Sequence, residues 1–376
     1  MNDYDISSIF VEMENYLLNS MSRNMKRHTD WEKDEGFQWD MWQSQQLKSL
    51  SNYRRENGKY IKNRSEFIML KIDELLKQSN EHGMMEEEIK ILNAIKKGYK
   101  PGRTPKGIES SFFNVNTRKL NAMIESVNDG LNKGSLAMLR MANDEYRKTI
   151  YKAQVFANTG TLTVDQSIDM ATKDFLSKGI NCIEYSDGKR VNIASYAEMA
   201  IKTANKRAYL QGEGSKRNEW GVHTVLISRY GACSEICLPW QGKVYVDDVW
   251  SGGTSEIALE LGYPLLSTAI SGHLFHPNCK HTMTTFFPDI TTIPSKADVA
   301  KTRENSDTIA TQRYNERNIR KYKRLENGSL DEQNKAKYGL KVKEWQGKQR
   351  ELMNAHPEAH RSYKREGLRG VNAVNL

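Results

Sequence analysis

Apolar residues in the first part of the chain recur at spacings of three and four positions. The first such stripe consists of Ile6, Ile9, Phe10, Met13, Tyr16 and Leu17. This spacing puts the side chains on one face of an α-helix, so it predicts an amphipathic helix. Later stripes predict two helices within residues 65–98, separated by a break near Gly83, and one long helix across residues 117–156. We therefore expect a helical region over residues 1–158.

The pattern changes after this region. A Thr or Asp cap begins a predicted helix at residues 161–180, and alternating residues around an Asp-Gly turn predict a β-hairpin at residues 181–196. Residues 195–221 predict another helix, which ends at glycines. Two β-branched runs follow at residues 222–230 and 242–248, and each of them predicts a short strand.

Together these elements predict an α+β fold with three parts. The helical region over residues 1–158 comes first. A small α+β module with a short antiparallel sheet and Cys/His-rich loops follows over residues 159–293, and a basic helical tail covers residues 294–376. A chain of 376 residues is long enough for this division, because a domain typically takes about 150 residues.

The composition narrows the class of protein. Hydrophobic residues make up 38% of the chain and the mean hydropathy is −0.73, so the protein is polar for a globular one. No run approaches the roughly 18 apolar residues that a membrane-spanning helix needs. The N-terminal sequence lacks the basic and apolar segments of a secretory signal, so we expect synthesis and retention in the cytosol. Four cysteines are too few for a disulfide framework.

The net charge of +9 is concentrated near the C-terminus, where residues 301–376 contain eighteen Lys and Arg but ten Asp and Glu. Five cations on about two helical turns are Arg317, Arg320, Lys321, Lys323 and Arg324. Such a surface binds DNA phosphates without sequence specificity, through counterion release, so we predict these five as nucleic-acid contacts. Two alternatives stay open: nearby glutamates could pair with the cations along the helix, or the tail could dock onto an acidic protein surface.

A cluster of metal-ligating residues lies between residues 233 and 281. A Cys-x3-Cys pair occurs between the two predicted strands, and a Cys-x-His pair occurs later, in the sequence HPNCKH. Because structural zinc sites use two short pairs of Cys and His ligands, we predict a structural zinc ion. Its predicted ligands are Cys233, Cys237, Cys279 and His281, with His276 as the alternative ligand. An unmetallated turn or a disulfide stays open as the simpler interpretation.

The same residues leave two catalytic alternatives. A nucleophilic cysteine needs a histidine within hydrogen-bond reach and an oxyanion site, and no cysteine or serine lies in a recognisable nucleophile motif. A His–Asn–His nuclease would need open ligands for Mg²⁺, but Asp247, Asp248 and Glu256 lack a suitable spacing. We therefore expect no catalytic residues and no enzyme activity. A zinc-dependent DNA-acting enzyme is the alternative function.

Several motifs in residues 160–376 are shared with a known family. The Cys233 and Cys237 pair is followed by WQGKVY at residues 240–245 and by HPNCKH at residues 276–281. This order resembles that of the phage minor capsid protein 2 family and, more distantly, that of Mu-type head-morphogenesis proteins. Further stretches that look like this family are GKRVNI (188–193), SYAEMAIKTA (195–204) and the runs at residues 313–326, 341–353 and 360–370.

The resemblance implies a structural role in the head of a tailed bacteriophage. Such proteins enter the procapsid in a few copies beside the portal and help head assembly, genome packaging or DNA delivery. It therefore implies a virion location in the capsid interior or at the portal vertex, after synthesis in the host cytoplasm. The implied partners are portal, major capsid and scaffold proteins, contacted partly by the N-terminal helices, and packaged double-stranded DNA. Some relatives carry fused toxin domains, so a toxin-type effector is a further alternative.

Overall fold

The computed structural model describes residues 3–35, 39–105, 117–157, 162–185, 187–295 and 298–368. Its helices are α1 (Asp3–Glu35), α2 (Trp39–Lys96), α3 (Thr117–Ala157), α4 (Val164–Lys178), α5 (Ile193–Glu219), α6 (Ser255–Leu261), α7 (Leu266–Ser271), α8 (Val299–Gly328), α9 (Glu332–Ala355) and α10 (Tyr363–Glu366). Its strands are β1 (Ile183–Glu184), β2 (Arg190–Val191), β3 (Thr224–Ile227), β4 (Val244–Val246) and β5 (Met283–Thr285). The strands form two small antiparallel sheets, β1-β2 and β4-β3-β5, in a mostly helical chain. The predicted α+β class is therefore confirmed.

The chain divides into two compact units, and each unit draws on separate parts of the sequence. Unit 1 comprises Met1–Asp3, Leu70–Asn128 and Met199–Ile309, and unit 2 comprises Tyr4–Met69, Asp129–Glu198 and Ala310–Leu376. The three-part division that we derived from the sequence stays a prediction. Within the described ranges, no helix has an apolar stretch long enough to cross a membrane.

Unit 1 contains the three-stranded sheet. Strand β3 is central, and antiparallel pairing places Val225 opposite Tyr245 of β4 and opposite Thr285 of β5. All four residues of β3 are buried, which suits its run of β-branched and aliphatic side chains. The sequence predicted β3 and β4 but not β5, because a strand of three residues is too short for alternation to stand out.

Helices α2 and α5 approach each other in unit 1 at two glycines. A Cβ atom on Gly83 would lie 3.1 Å from the carbonyl carbon of Tyr209, and one on Gly212 would lie 3.0 Å from that of Asn80. The carbonyl oxygens would be closer still, so only glycine allows the two backbones to come this near. The break predicted near Gly83 is therefore wrong. Helix α2 continues through this glycine, which serves the helix approach instead.

A largely buried ion cluster lies in the same unit. Arg217 of α5 has no exposed side-chain surface, and its Nη2 atom is 3.0 Å from a carboxylate oxygen of Asp247. Its Nη1 atom lies 3.8 Å from Glu87 of α2 and 3.7 Å from Glu213, one turn earlier in α5. Lys90 also pairs with Glu213, at 2.7 Å. Because a charge buried without its partner costs several kcal/mol, each member of this cluster depends on the others.

Unit 2 buries the apolar stripe of the first helix. Ile6, Phe10, Met13 and Leu17 of α1 are all almost completely buried, which confirms the predicted amphipathic helix. The predicted hairpin is also confirmed, in a short form in which Ile183 pairs with Val191.

The C-terminal helices pack within unit 2. The carboxylate of Asp169 on α4 accepts a hydrogen bond from Leu330 N–H at 2.7 Å and one from the side chain of Asn334 at 2.9 Å. These contacts hold the turn between α8 and α9. Ile319 and Leu325 of α8 are buried. A highly charged sequence without a dense apolar stripe therefore still provides enough apolar positions for packing.

Candidate metal centre

The loop between β3 and β4 carries the first two cysteines of the site. Cys237 N–H donates to Ser234 O at 3.0 Å, and Trp240 N–H donates to Cys237 O at 3.1 Å, so the loop is a series of tight turns. Cys233 is 3% exposed and Cys237 is fully buried. The indole N–H of Trp240 donates to Gly272 O at 2.9 Å, which ties this loop to the end of α7.

The second loop runs from α7 to β5 and has an unusual backbone. His273, Phe275 and Asn278 have φ angles of 70°, 60° and 67°, in the left-handed region. Residues with a Cβ atom adopt this conformation only where the surrounding structure imposes it. The turn predicted from the Pro-Asn sequence is present, because Cys279 N–H donates to His276 O at 2.9 Å. The turn brings this histidine and this cysteine close together.

Cys237, His276 and Cys279 form a group that fits a metal ion. Each offers one sulfur or nitrogen ligand atom, and the three ligand atoms all lie within 4.8 Å of one another. The two Sγ atoms are 3.7 Å apart. Two thiolates on a tetrahedral zinc, each at about 2.3 Å from the ion, would be separated by about 3.8 Å. Two sulfurs and an imidazole are also donors that structural zinc sites use, so both the spacing and the chemistry fit.

The two other predicted ligands lie next to this group. The Cys233 thiol donates to Ser234 O at 3.2 Å. His281 is 1% exposed, and its Nδ1 atom lies 3.3 Å from Cys279 Sγ. Its Nε2 atom lies 3.1 Å from Gln241 Oε1, so the ring is held from both sides.

The structure thus brings together two of the four predicted ligands, Cys237 and Cys279, with the alternative ligand His276. Cys233 and His281 are neighbours of this group rather than members of it. The predicted four-ligand set stays a prediction, since each neighbour could complete the coordination of a metal.

A hydrogen bond joins the two close thiols and shifts their pKa values in opposite directions. The hydrogen bond from the Cys237 thiol lowers the pKa of Cys279, and His281 adds to this effect. The same hydrogen bond, together with burial, raises the pKa of Cys237. Burial raises the pKa of Cys233 to about 11. These contacts therefore favour the thiolate form of Cys279, and the thiolate is the form of cysteine that binds metals.

Lys206 of α5 belongs to the surroundings of this site, although the sequence analysis did not identify it. Its ammonium group donates to His281 O and lies 4.3 Å from the centre of the Phe275 ring. Burial lowers the pKa of Lys206, whereas negative charge on Cys279 and Cys237 opposes this effect. Helical periodicity gives no signal for such a residue, because its neighbours come from a loop much later in the chain.

The predicted nucleic-acid contacts lie on α8 in unit 2. They are Arg317, Arg320, Lys321, Lys323 and Arg324. Arg317 is exposed, whereas the other four are half-buried. Arg324 Nε donates to Leu176 O at 2.8 Å, and Lys323 Nζ donates to Glu366 O at 3.0 Å. Part of the cationic surface is therefore turned inward, and DNA contact stays a prediction.

A sequence model of the family described as phage minor capsid protein 2 matches residues 2–354 of the chain. The match includes both helical and sheet regions and all residues of the Cys/His group. Comparisons with curated proteins and with solved structures find no match. The family match agrees with the motifs and extends over the N-terminal helices, where we found no specific motif. The chain belongs to the phage minor capsid protein 2 family.

Proposed function

We propose that this minor capsid protein uses a structural zinc ion, bound by Cys237, His276 and Cys279, to hold two loops of unit 1 together in the phage head. The observation that carries the proposal is the convergence of three ligand atoms within 4.8 Å of one another. They come from two loops that are separated in the sequence by β4, α6 and α7. A zinc ion would act here as a cross-link and would take no part in a reaction.

The small sheet explains why a cross-link would help. Strand β3 has four residues, whereas β4 and β5 have three each, so the sheet itself contributes few hydrogen bonds. Long loops between such strands lose much conformational entropy on folding. A metal that binds only the folded arrangement adds its binding free energy to the stability of the fold.

A closed structural zinc site takes four protein ligands, and the structure offers two candidates for the fourth. Cys233 would have to exchange its hydrogen bond to Ser234 O for the metal. His281 Nδ1 is already 3.3 Å from Cys279 Sγ. The ammonium group of Lys206 would offset part of the negative charge that two or three thiolates bring to the site.

Within the virion, we propose a position beside the portal, in several copies, with contacts to portal, major capsid or scaffold proteins. In this role the protein helps head assembly, genome packaging or DNA delivery and catalyses no reaction. Family membership supports the head location. The cations of α8 support contact with packaged DNA. Quantitative mass spectrometry of purified heads, and co-purification with tagged portal protein, test this position. Absence of the protein from portal-containing complexes would contradict the proposed position.

The zinc proposal is tested by metal analysis and native mass spectrometry of the full-length protein. We expect about one zinc per chain in the wild type and loss of the metal in Cys279→Ser and His276→Ala. Cys182→Ser is the matched control. Cys182 belongs to unit 2, where its thiol donates to Gly134 O at 3.8 Å, so this variant should keep its zinc.

Two outcomes would overturn the zinc site. One is a folded wild type that has free thiols and takes up no zinc. The other is a disulfide between Cys237 and Cys279, which would need the sulfurs to move from 3.7 Å to bonding distance. Separate substitutions of Cys233 and of His281 identify the fourth ligand. Only the substitution that removes the true ligand should lower the affinity of the protein for zinc.

The contact between Cys279 and His281 also resembles a nucleophile with its base, and Gln241 lies behind the histidine. A thiol-directed probe distinguishes the two roles. We expect alkylation of Cys279 to be slow in the zinc-loaded protein and to become fast when the metal is removed by a chelator. Fast alkylation in the metal-bound protein, or DNA cleavage in the presence of Mg²⁺, would favour an enzyme.

A further inference from the structure

A cavity of about 300 Å³ lies in unit 2 and is lined mainly by polar side chains. Six cationic residues of α8 and α10 contribute to the lining, together with serines and asparagines. These cations are Arg317, Arg320, Lys321, Arg324, Lys364 and Arg365. Lys178 at the end of α4 adds a seventh, whereas the acidic residues of the lining are Glu14 and Glu198. The cavity therefore concentrates a large excess of positive charge in a small volume.

Two of these arginines are held by neutral groups. Arg324 Nε donates to Leu176 O at 2.8 Å and its Nη2 atom donates to Ser177 O at 3.0 Å, while Arg320 donates to Arg365 O. In the part of the chain that the structure describes, neither guanidinium forms an ion pair with a carboxylate. Burial lowers the pKa of both arginines, because removal from water disfavours the charged form, while the negative charge of Glu14 opposes this effect on both.

The two carboxylates of the cavity already have close partners. Glu14 Oε1 accepts a hydrogen bond from Ile180 N–H at 2.6 Å and one from the side chain of Asn192 at 2.5 Å. Glu198 forms an ion pair with Arg365 at 2.5 Å. These two negative charges offset only part of the seven positive charges. An anion in the cavity would offset more of them and would strengthen the folded state.

We propose that this cavity binds a phosphate-type oxyanion, either inorganic phosphate or the terminal phosphate of a nucleotide or nucleic-acid strand. Guanidinium groups match the paired oxygens of phosphate, and the Lys321 ammonium group can donate to another. A phosphate monoester carries close to two negative charges at neutral pH, so it offsets more of the cavity's charge than one carboxylate does. The volume admits a phosphate group but excludes a double helix.

This inference goes beyond the proposed zinc role and does not depend on it, because all lining residues belong to unit 2. It also adds one defined anion site to the cationic surface of α8. Four of the five predicted nucleic-acid contacts line the cavity, whereas Lys323 instead donates to Glu366 O at 3.0 Å. Only the fold shows this difference, since the five residues are equivalent in the helical sequence pattern.

Calorimetric titration of the full-length protein with inorganic phosphate tests the site. The informative variants are Arg317→Gln and Lys321→Gln, which leave the backbone contacts of Arg320 and Arg324 in place. We expect each variant to weaken phosphate binding by about tenfold, as for the loss of one charge-assisted hydrogen bond. Lys337→Gln, at an exposed position of α9 outside the cavity, is the matched control and should bind phosphate like the wild type.

Two further probes identify the source of the phosphate. They are a short single-stranded oligonucleotide with a 5′-phosphate and the same strand with a 5′-hydroxyl. Tighter binding of the 5′-phosphorylated strand than of free phosphate, with weak binding of the 5′-hydroxyl strand, would assign the site to a nucleic-acid end. Equal affinity for free phosphate and the phosphorylated strand would assign it to the free anion. Both results support the oxyanion site.

Three results would overturn it. The first is no saturable binding of any phosphate probe at millimolar concentration. The second is an equal loss of affinity in Lys337→Gln and in the cavity variants, which would indicate diffuse attraction. The third is tighter binding of a glutamate-rich peptide that phosphate fails to displace. Zinc content is measured in the same samples, so failure of phosphate binding with zinc retained contradicts this inference alone.

Discussion

Arg217 in unit 1 is fully buried and Arg320 and Arg324 in unit 2 are half-buried, and the partners of these arginines differ. In unit 1, three carboxylates surround the Arg217 guanidinium within 4 Å. In unit 2, Arg320 and Arg324 are held by backbone carbonyls and form no ion pair in the described chain. A cation that is matched by fixed carboxylates stabilises a fold but has no capacity left for another anion. A cation that is oriented by neutral groups keeps its charge available, which is the arrangement we expect of a ligand site.

The largest effect that follows from this comparison is expected for Arg217→Met. The variant leaves Glu87, Glu213 and Asp247 buried with much less positive charge, so we expect a loss of about 3–5 kcal/mol in the free energy of unfolding. Urea denaturation of the full-length protein measures it. Arg303→Met is the control, because Arg303 pairs with Glu235 on the surface and its loss should leave the free energy of unfolding nearly unchanged.

The pH dependence of the same variant sharpens the comparison. Burial raises the pKa of Glu213, while Arg217 and Lys90 oppose this effect. An acid whose pKa is higher in the folded state binds a proton on folding, so folding becomes more favourable as the pH falls through that raised pKa. Without Arg217 the pKa should rise further. The stability deficit of Arg217→Met should therefore be smaller at pH 5 than at pH 8, and a constant deficit would contradict the charge explanation.

The second largest effect is expected where α2 and α5 approach each other. This approach sets the distance between Glu87 of α2 and Arg217 of α5 in the ion cluster. Gly212→Ala would place a Cβ atom against the backbone of Asn80, so we expect a destabilisation of about 2–3 kcal/mol. Gly58→Ala on α2 is the matched control, because no atom lies within 4 Å of its Cβ position. That variant should gain about 0.5–1 kcal/mol, since alanine favours a helix more than glycine does. If Gly212→Ala and Gly58→Ala change the free energy of unfolding equally, the two helices of unit 1 can move apart to admit the added methyl group.

The local features of this molecule were predictable because they depend on neighbouring residues. The stripe of α1 follows from its 3.6-residue period, and Thr163 begins α4 through a capping box with Gln166. Cys237 and Cys279 stand out because cysteine is rare in this chain and occurs here in short motifs. Such signals need only a few residues of sequence.

The remaining features depend on contacts between distant parts of the chain. Lys206 meets His281 across 75 positions, and Arg324 meets Leu176 across 148 positions. Gly83 looked like a helix break, because a pattern in one segment carries no information about the helix that packs against it. The cationic cavity was missed for the same reason. The sequence shows the cationic residues of α8, but it does not show that their side chains line a cavity.

A smaller effect is expected for Arg324→Met, the counterpart of Arg217→Met in unit 2. The variant loses hydrogen bonds to Leu176 O and Ser177 O, and it removes a charge that acts on Glu14 only from beyond ion-pair distance, so we expect a cost of about 1–2 kcal/mol. Urea denaturation with and without phosphate provides the measurement, because phosphate should stabilise the wild type more than the variant. A cost as large as that of Arg217→Met would remove the distinction between the two kinds of buried arginine.

The smallest effect on stability is expected for Glu198→Gln, which makes the cavity more positive. The ion pair between Glu198 and Arg365 is partly exposed, so its loss should change the free energy of unfolding by less than about 1 kcal/mol. Phosphate affinity should instead increase severalfold, because one competing negative charge is removed from the lining. Glu235→Gln removes a similar pair from unit 1 and should leave phosphate affinity unchanged. If both variants bind phosphate like the wild type, the charge of the lining does not control the cavity, and the arginines of unit 2 are structural like Arg217.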